Sequence, residues 1–301
     1  MNRFIIDGFN LAYRSHYAFQ KFSTSTGLLS GGVYGFFTAL RALRNRFLDF
    51  KFYVVWDNNP LKKKQAFTEY KANRDHLRIN LPIADLKQAL QYLNITQMES
   101  EGEEADDVIA TLVHSNDGKD YIYSSDKDLQ QLVVDGSIIV ISPKVGAIPE
   151  KFYDEEAVKQ KWGVGPRDLA CLFAFKGDQS DNIPGTSVPS KILAPLTTKY
   201  RTPEMVYSSI AGEKLTDFQR QALISNKNQV ILNYSIINLK KELYCTYTNG
   251  KSLPDKLKEI FDKYEIKALS PKSLVDLFDS ETVFLHRTGP SLKTVSLFDD
   301  E

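Results

Sequence analysis

Nine carboxylates in this 301-residue chain fall in five short segments. Asp7 closes the apolar run RFIID and Asp57 closes FYVVWD, while Asp126 and Asp128 follow YIYS in SSDKDLQQL. Glu104, Asp106 and Asp107 open the helical pattern EGEEADDVIATLV, residues 101–113, and Asp178 and Asp181 stand three apart in KGDQSDNIPG, residues 176–185. Each segment alone has an ordinary reading. Acids in the first turn of a helix are favoured by its dipole, and Asp beside Ser, Asn, Pro and Gly favours turns. The joint reading differs, because so many anions share a small volume only when cations bind them. No His or Cys recurs among them, and an all-oxygen ligand set suits magnesium or manganese rather than zinc. Such a set usually serves two ions, which clamp a phosphodiester and activate a water. The competing reading is acids scattered over a solvated surface.

The elements that must position these groups are legible in outline. RFIID, FYVVWD and YIYSSD are rich in β-branched and aromatic residues and read as short buried strands; SIIVIS, residues 137–142, is a fourth. Helical patterns lie between them, notably GGVYGFFTALRALRNRF and IADLKQALQYL. The alternation predicts an α/β fold with a mostly parallel central sheet flanked by helices. The strand C-termini of such a sheet share one edge, where ligands bind, so three strands deliver Asp7, Asp57 and Asp126 to it. The spacing of Val108, Ile109, Leu112 and Val113 places the neighbouring acids in a first helical turn, with Glu104 and Asp107 on one face and Asp106 on an adjoining one.

Composition adds limits. An apolar fraction of 42% and a charged fraction of 25% are those of a soluble globular protein, and the length allows one large domain or two ordinary ones. No apolar run approaches the roughly 18 residues of a membrane span, and the opening MNRFIIDGFN is not a secretory leader. Cys171 and Cys245 form no metal-like spacing, so a reduced, cytoplasmic setting is expected. The formal net charge of zero gives no global sign of nucleic-acid binding but allows a basic surface facing an acidic one. The densest cationic stretch, PLKKKQAFTEYKANRDHLR (residues 60–78), sets Lys62, Lys63, Lys64, Lys71, Arg74 and Arg78 against Glu69 and Asp75. Its ordinary reading is a solvated helix face. Directly after the Asp57 strand it is expected to rise above the metal edge, where it would counter the charge of a scissile phosphate.

FIIDGFNLAYRSHYAF, VVWDNN, EYKANRD, EEADDVIATL, SSDKDLQQL and GDQSDNIPG occur in this order, and together they resemble the 5′-nuclease family. That family includes the 5′-nuclease domain of bacterial DNA polymerase I, the flap endonucleases, and the stand-alone bacteriophage 5′-nucleases of ribonuclease H type. The chain is most similar to the last group, since no polymerase region follows. The resemblance runs from Met1 to about Leu239. It implies a PIN-like nuclease core over residues 1–175 with a helical arch over 60–82. A helical duplex-binding region would follow over 176–281, with a helix–hairpin–helix at 177–196, and then a flexible tail over 282–301. It implies two divalent ions, Mg2+ or Mn2+. Asp7, Asp57, Glu104, Asp106, Asp107 and Asp126 resemble the first-ion set, some acting through water. Asp128, Asp178 and Asp181, with Asp126 nearby, resemble the second. Ser124 and Ser125 would complete the strand end.

In the family's YKxxR arch motif, Tyr70 would stack on a base while Lys71 and Arg74 contact the scissile phosphate. Arg14 and Lys127 resemble further phosphate contacts, surface salt bridges being their other reading. One departure stands out: after SDNIPG the family continues with a Gly-x-Gly hairpin, whereas this chain reads TSVPSKILAPL, residues 186–196. Side chains and Pro189 there keep backbone amides from phosphate. This argues against the family's monovalent-cation site and for altered duplex binding, with Lys191 as a remaining phosphate contact. The implied activity is a metal-dependent 5′-to-3′ exonuclease and flap endonuclease on DNA and RNA/DNA hybrids, removing RNA primers in lagging-strand replication as a monomer. Leu297 and Phe298 in TVSLFDDE resemble the core of sliding-clamp peptides, with Thr294 in place of the usual glutamine; docking on the domain itself is the alternative. The competing classes are a PIN-type ribonuclease and a structure-specific DNA-binding module without catalysis.

Overall fold

A computed structural model of the chain describes residues 1–59, 61–72 and 79–279. The chain begins with β1 (Arg3–Asp7), α1 (Gly8–Ala18), α2 (Gly31–Arg46), β2 (Lys51–Val55), α3 (Leu61–Ala66), α4 (Ile83–Tyr92), β3 (Thr96–Glu99), α5 (Ala105–His114) and β4 (Asp120–Tyr123). It continues with β5 (Ile138–Ser142), β6 (Lys151–Tyr153), α6 (Glu155–Trp162), α7 (Leu169–Lys176), α8 (Ser190–Tyr200), α9 (Pro203–Ser209), α10 (Asp217–Ser225) and α11 (Lys227–Ile237). The last described elements are β7 (Thr246–Thr248), α12 (Pro254–Lys263) and α13 (Pro271–Asp279). The strands form one sheet in the order β6-β5-β4-β1-β2-β3-β7. The five inner strands are parallel, and β6 and β7 close the two edges in antiparallel pairing.

Period-two alternation divides the apolar residues between two cores. Phe4, Ile6, Phe52, Val54 and Ile141 face a layer built from α2, α4, α12 and α13. Ile5, Tyr53, Val55, Ile122 and Val140 face the other layer, which contains α5, α7, α9 and α11. Strands covered on both faces read as continuous apolar runs, which is why RFIID, FYVV and IIVIS could be recognised. The expected strands ending at Asp7 and near Asp126 are present. The strand before Asp57 stops at Val55, two residues short of the aspartate.

Three strands carry little of that signature: β3 is TQME, β6 is KFY and β7 is TYT, fully exposed. The expected boundary between a core over 1–175 and a helical region over 176–281 needs correction. β7 pairs with β3, and α12 and α13 cross to the opposite face of the sheet. There Phe261 meets Phe37 with ring centroids 5.3 Å apart, and Phe278 meets Phe52 at 5.5 Å. The amphipathic spacing of Leu257, Ile260 and Phe261 drives this return, with Pro254 at the first helical position of α12. Among the described residues no helix is long and apolar enough to cross a membrane.

Candidate metal centre and its cationic rim

Asp7 ends β1 and caps α1, accepting from the Asn10 amide at 3.0 Å and from Ser124 Oγ at 2.8 Å. The strand can turn into a helix so abruptly because Gly8 lies under Trp56; a Cβ there would stand 2.6 Å from the indole. Asp57 follows β2 and accepts from the Ala105 amide at 2.6 Å, tying it to the start of α5. Glu104 is the N-cap residue of α5, and Asp106 and Asp107 fill its first turn. Beyond β4, Asp126 accepts from the Asp128 amide at 2.9 Å while its own amide donates to Ser124 Oγ. Asp178 and Asp181 lie in the hairpin after α7, whose two strands cross tightly: a Cβ on Gly177 would be 2.5 Å from the Gly185 nitrogen. Asp128, Asp178 and Asp181 each present an oxygen within 4.8 Å of the others.

The electrostatics of the array are uneven. Burial pushes Asp7 up to about 7, with Asp57 and Asp126 adding repulsion against its hydrogen bonds. Burial also raises Asp57, Asp106 and Asp128; Asp126 and Asp7 reinforce the rise of Asp106, and Asp126 reinforces that of Asp128. Glu104 behaves oppositely. Burial would raise it, but Lys63 and Lys71 outweigh burial and hold it at about 2. Asp178 is likewise lowered, burial being outweighed by its ion pair with Lys127 and its bonds from Ser180. Carboxylates raised by burial and by neighbouring acids are those a divalent cation would restore to the charged form. Four of the nine sequence-selected acids therefore have the chemistry of oxygen ligands to a hard ion.

Asp107 is placed differently from its neighbours. It is fully buried, accepts from the Lys240 amide at 2.8 Å and lies 2.9 Å from Lys63 Nζ. Lys63 Nζ is also 2.9 Å from Glu104 Oε2, so this lysine stands between two carboxylates one helical turn apart. Lys62 and Lys240 both pair with Glu103 at 2.7 Å. The sequence reading passed over Lys63 as one of three adjacent lysines. Its only signal was its register on the short α3, which turns Lys63 inward and leaves Lys62 exposed.

The base of the expected arch therefore lies on the carboxylates rather than above them. Tyr70 is 4% exposed and its hydroxyl donates to Glu104 Oε2 at 3.0 Å. Its expected role of stacking on a base is corrected: a buried phenol needs an acceptor, and Glu104 supplies it. Lys71 Nζ lies 2.6 Å from Glu104 Oε1, and the Lys71 amide donates to the Asp181 carbonyl at 3.0 Å. Held at both ends, Lys71 adopts φ = 54°, a left-handed conformation that disfavours side chains with a Cβ. Asn182 Nδ2 donates to the Glu69 carbonyl at 2.9 Å, a second tie between this segment and the hairpin.

Arg14 donates to the Lys144 carbonyl at 2.7 Å and lies over the Tyr123 ring. Lys127 pairs with Asp178. Lys191 is exposed in the first turn of α8, with Pro189 as the residue capping that helix. Asn10 Nδ2 donates to Ser125 Oγ at 2.7 Å, a link across the β1–β4 edge that sequence reasoning did not find. Arg74, Leu297 and Phe298 lie outside the described residues.

Comparison with known proteins identifies the family of the chain. The family model of the 5′–3′ exonuclease N-terminal, resolvase-like domain matches residues 2–163. The 5′–3′ exonuclease of Aquifex aeolicus is 32% identical over 280 residues, covering 88% of this chain and 93% of that protein. The chain belongs to the 5′–3′ exonuclease family. DNA polymerase I of Pseudomonas aeruginosa is 34% identical over 267 residues, covering 83% of this chain but only 28% of the polymerase. In three dimensions this family member resembles the zinc-bound T5 5′-exonuclease with a TM-score of 0.63 at 18% identity, over 93% of this chain and all of that one. It also resembles flap endonuclease-1 of Methanococcus jannaschii with a TM-score of 0.58 at 15% identity, over 92% and 91% of the two chains. These likenesses concern the fold.

Proposed function

We propose that this chain is a divalent-metal-dependent 5′-to-3′ exonuclease and flap endonuclease acting on DNA and RNA/DNA hybrids. The observation that carries the reading is the gathering of acids from five segments at one sheet edge, where lysines pair with Glu104, Asp107 and Asp178 while Asp7, Asp106 and Asp128 stay raised. A binding protein without catalysis gains nothing from concentrated negative charge facing phosphate. Asp7, Asp57, Asp106 and Asp126 would hold one ion, and Asp128, Asp178 and Asp181 the second. Magnesium or manganese bound there would stabilise charge on the scissile phosphate and lower the pKa of a water.

The chain's own residues do the rest. Lys63 neutralises Glu104 and Asp107 and so fixes the start of α5 that carries Asp106. Ser124 orients Asp7 by its hydrogen bond, and the Ala105 amide orients Asp57. Lys71 and Arg74 would meet the scissile phosphate, Lys71 by exchanging Glu104 for a phosphate oxygen. Arg14, Lys127 and Lys191 would hold flanking phosphates. The relatives named DNA polymerase I and 5′–3′ exonuclease support a task in primer removal. A monomer is sufficient for this site, and Leu297 and Phe298 would bind a sliding clamp.

The test is a 5′-labelled flap incubated with magnesium or with chelator. Short products ending near the junction, absent in chelator, are expected. An intact, retarded band in both conditions would replace the nuclease reading by one of binding alone. Deleting residues 294–301 should leave cleavage of a free flap unchanged and reduce clamp-stimulated cleavage.

A further inference from the structure

The lysines around the carboxylate array are mostly paired. Lys62, Lys63, Lys71, Lys127 and Lys240 each reach a carboxylate. Two exposed lysines beside the array differ. Lys161, near the end of α6, has its Nζ 4.6 Å from the Trp162 ring centroid and 4.7 Å from that of Tyr153, whose hydroxyl it meets at 3.1 Å. Lys176, at the end of α7, has its Nζ 5.1 Å from the same Trp162 ring. Among the described residues neither lysine pairs with an acid.

Trp162 is a rigid platform for them. Its ring packs edge-on against Phe173 at 4.8 Å, and its indole N–H donates to Gln130 Oε1 at 2.8 Å. Phe173 in turn carries Lys127, the residue paired with Asp178. Trp162, Lys176 and Lys127 line an open pocket of about 540 Å³ that continues to Asp178 and the hairpin at Gly185 and Ser187. Cations and rings thus alternate from Tyr153 to the edge of the carboxylate triad.

We propose that Lys161 and Lys176, held on Trp162, form a phosphate-binding track for the nucleic-acid backbone leading to the Asp128–Asp178–Asp181 triad. The proposal rests on the nuclease reading and adds binding residues to it. Three arguments converge. Unpaired ammonium groups beside an anionic centre attract a polyanion, and each phosphate they take releases counterions. The ring holds both stems in place, so little side-chain entropy is lost on binding. Ammonium groups also lie over the indole where a base would have to stack, so the track reads backbone and not sequence. The hairpin supplies a reason for the track: with Pro189 lacking an N–H and side chains at Thr186, Ser187 and Val188, few backbone amides are open to phosphate.

The experiment measures binding in chelator, where cleavage does not intervene. A fluorescent 5′-flap duplex is titrated with wild type, with the double variant K161A/K176A, and with K256A/K258A, whose lysines are exposed on α12 against the opposite core. The Lys161/Lys176 variant should bind about tenfold more weakly, and its log K against log salt should be shallower by about 1.8, two phosphate contacts at roughly 0.9 each. The α12 variant should change affinity less than about twofold, and a change of base sequence should leave both results in place. All three proteins should melt alike. Equal affinity and slope for wild type and K161A/K176A overturn the track, as does an equal loss in the α12 variant. Failure of wild type to cleave in magnesium overturns the nuclease reading instead, and the two failures are separable because the binding series needs no turnover.

Discussion

Glu104 and Asp7 belong to one carboxylate array, yet their charges are held in opposite ways. Glu104 receives Lys63, Lys71 and the Tyr70 hydroxyl and stays ionised down to about pH 2. Asp7 receives an amide and a serine hydroxyl, faces Asp57 and Asp126, and is pushed up to about 7. The same contrast recurs at the second group, where Asp178 has Lys127 and is lowered while Asp128 is raised. The flank near α3 is therefore complete as folded. The flank built on β1 and β4 awaits external positive charge. Burial is common to both, so the partner decides the outcome.

The largest effect expected from breaking this contrast is on the unbalanced flank. Asp126→Asn should lower cleavage of a flap by roughly 10³-fold or more, comparable with removing a preorganised charge from an active site. The fold should survive, with a melting temperature in chelator equal to or above wild type, because mutual repulsion falls. Turnover within a few-fold of wild type in saturating magnesium would take Asp126 out of the ion-binding set.

On the balanced flank the leading effect moves from rate to stability. Lys63→Met leaves Glu104 and Asp107 without their shared cation, and breaking a buried pair from one side costs about 3–5 kcal/mol. Urea unfolding in chelator measures it, and a loss below about 1 kcal/mol would show that Lys63 is not the balancing charge. Lys71→Ala sharpens the distinction. Lys71 is expected to leave Glu104 for the scissile phosphate, so its loss should slow single-turnover cleavage by about 10²-fold at saturating DNA. An unchanged rate with weaker binding would make Lys71 a steering residue.

The pH dependence separates the flanks without mutation. A carboxyl whose folded pKa is raised contributes stability that is full below its unfolded pKa and lost as pH rises through the folded value. In chelator, Asp7 should therefore destabilise the protein between about pH 4 and its folded value near 7, by on the order of a few kcal/mol. Asp57, Asp106 and Asp128 act in the same direction. Glu104 acts in the other, contributing stability above its ordinary range and losing it as pH falls towards 2. Metal-free melting temperature should decline from about pH 4 to 7, and added magnesium should flatten the decline. A metal-free protein most stable near pH 7 would contradict the raised values. The smallest effect is Tyr70→Phe, which removes one hydrogen bond to Glu104 and should cost about 1–2 kcal/mol. Unchanged stability would return Tyr70 to a stacking role.

The nine clustered acids were legible because each marks an abrupt change of backbone pattern, from apolar run to turn or from turn to helix. The parallel sheet followed from runs such as RFIID and SIIVIS. β3, β6 and β7 were not legible, since TQME, KFY and TYT are short and take their pairing from neighbours rather than from their own composition. The balancing of Glu104 was hidden for a related reason: Lys63 is one of three adjacent lysines, and only its register on α3 distinguishes the buried one. Tyr70 was misread because a motif records which residue recurs and not which way it faces.

The return of α12 and α13 to the far side of the sheet has a consequence for how the protein is made. Translation delivers β1, β2, β4 and all nine acids of the array before Phe261, Leu274 and Val275 have left the ribosome. Until then Phe37 lacks Phe261 and Phe52 lacks Phe278, and until Thr246–Thr248 are made β3 lacks its antiparallel neighbour. An intermediate with an uncovered apolar face and an unpaired strand edge is a target for chaperones and for aggregation. The nine acids are therefore all synthesised before the segments that secure the sheet beneath them, and a chain stopped near residue 240 would carry the whole set on an unfinished scaffold.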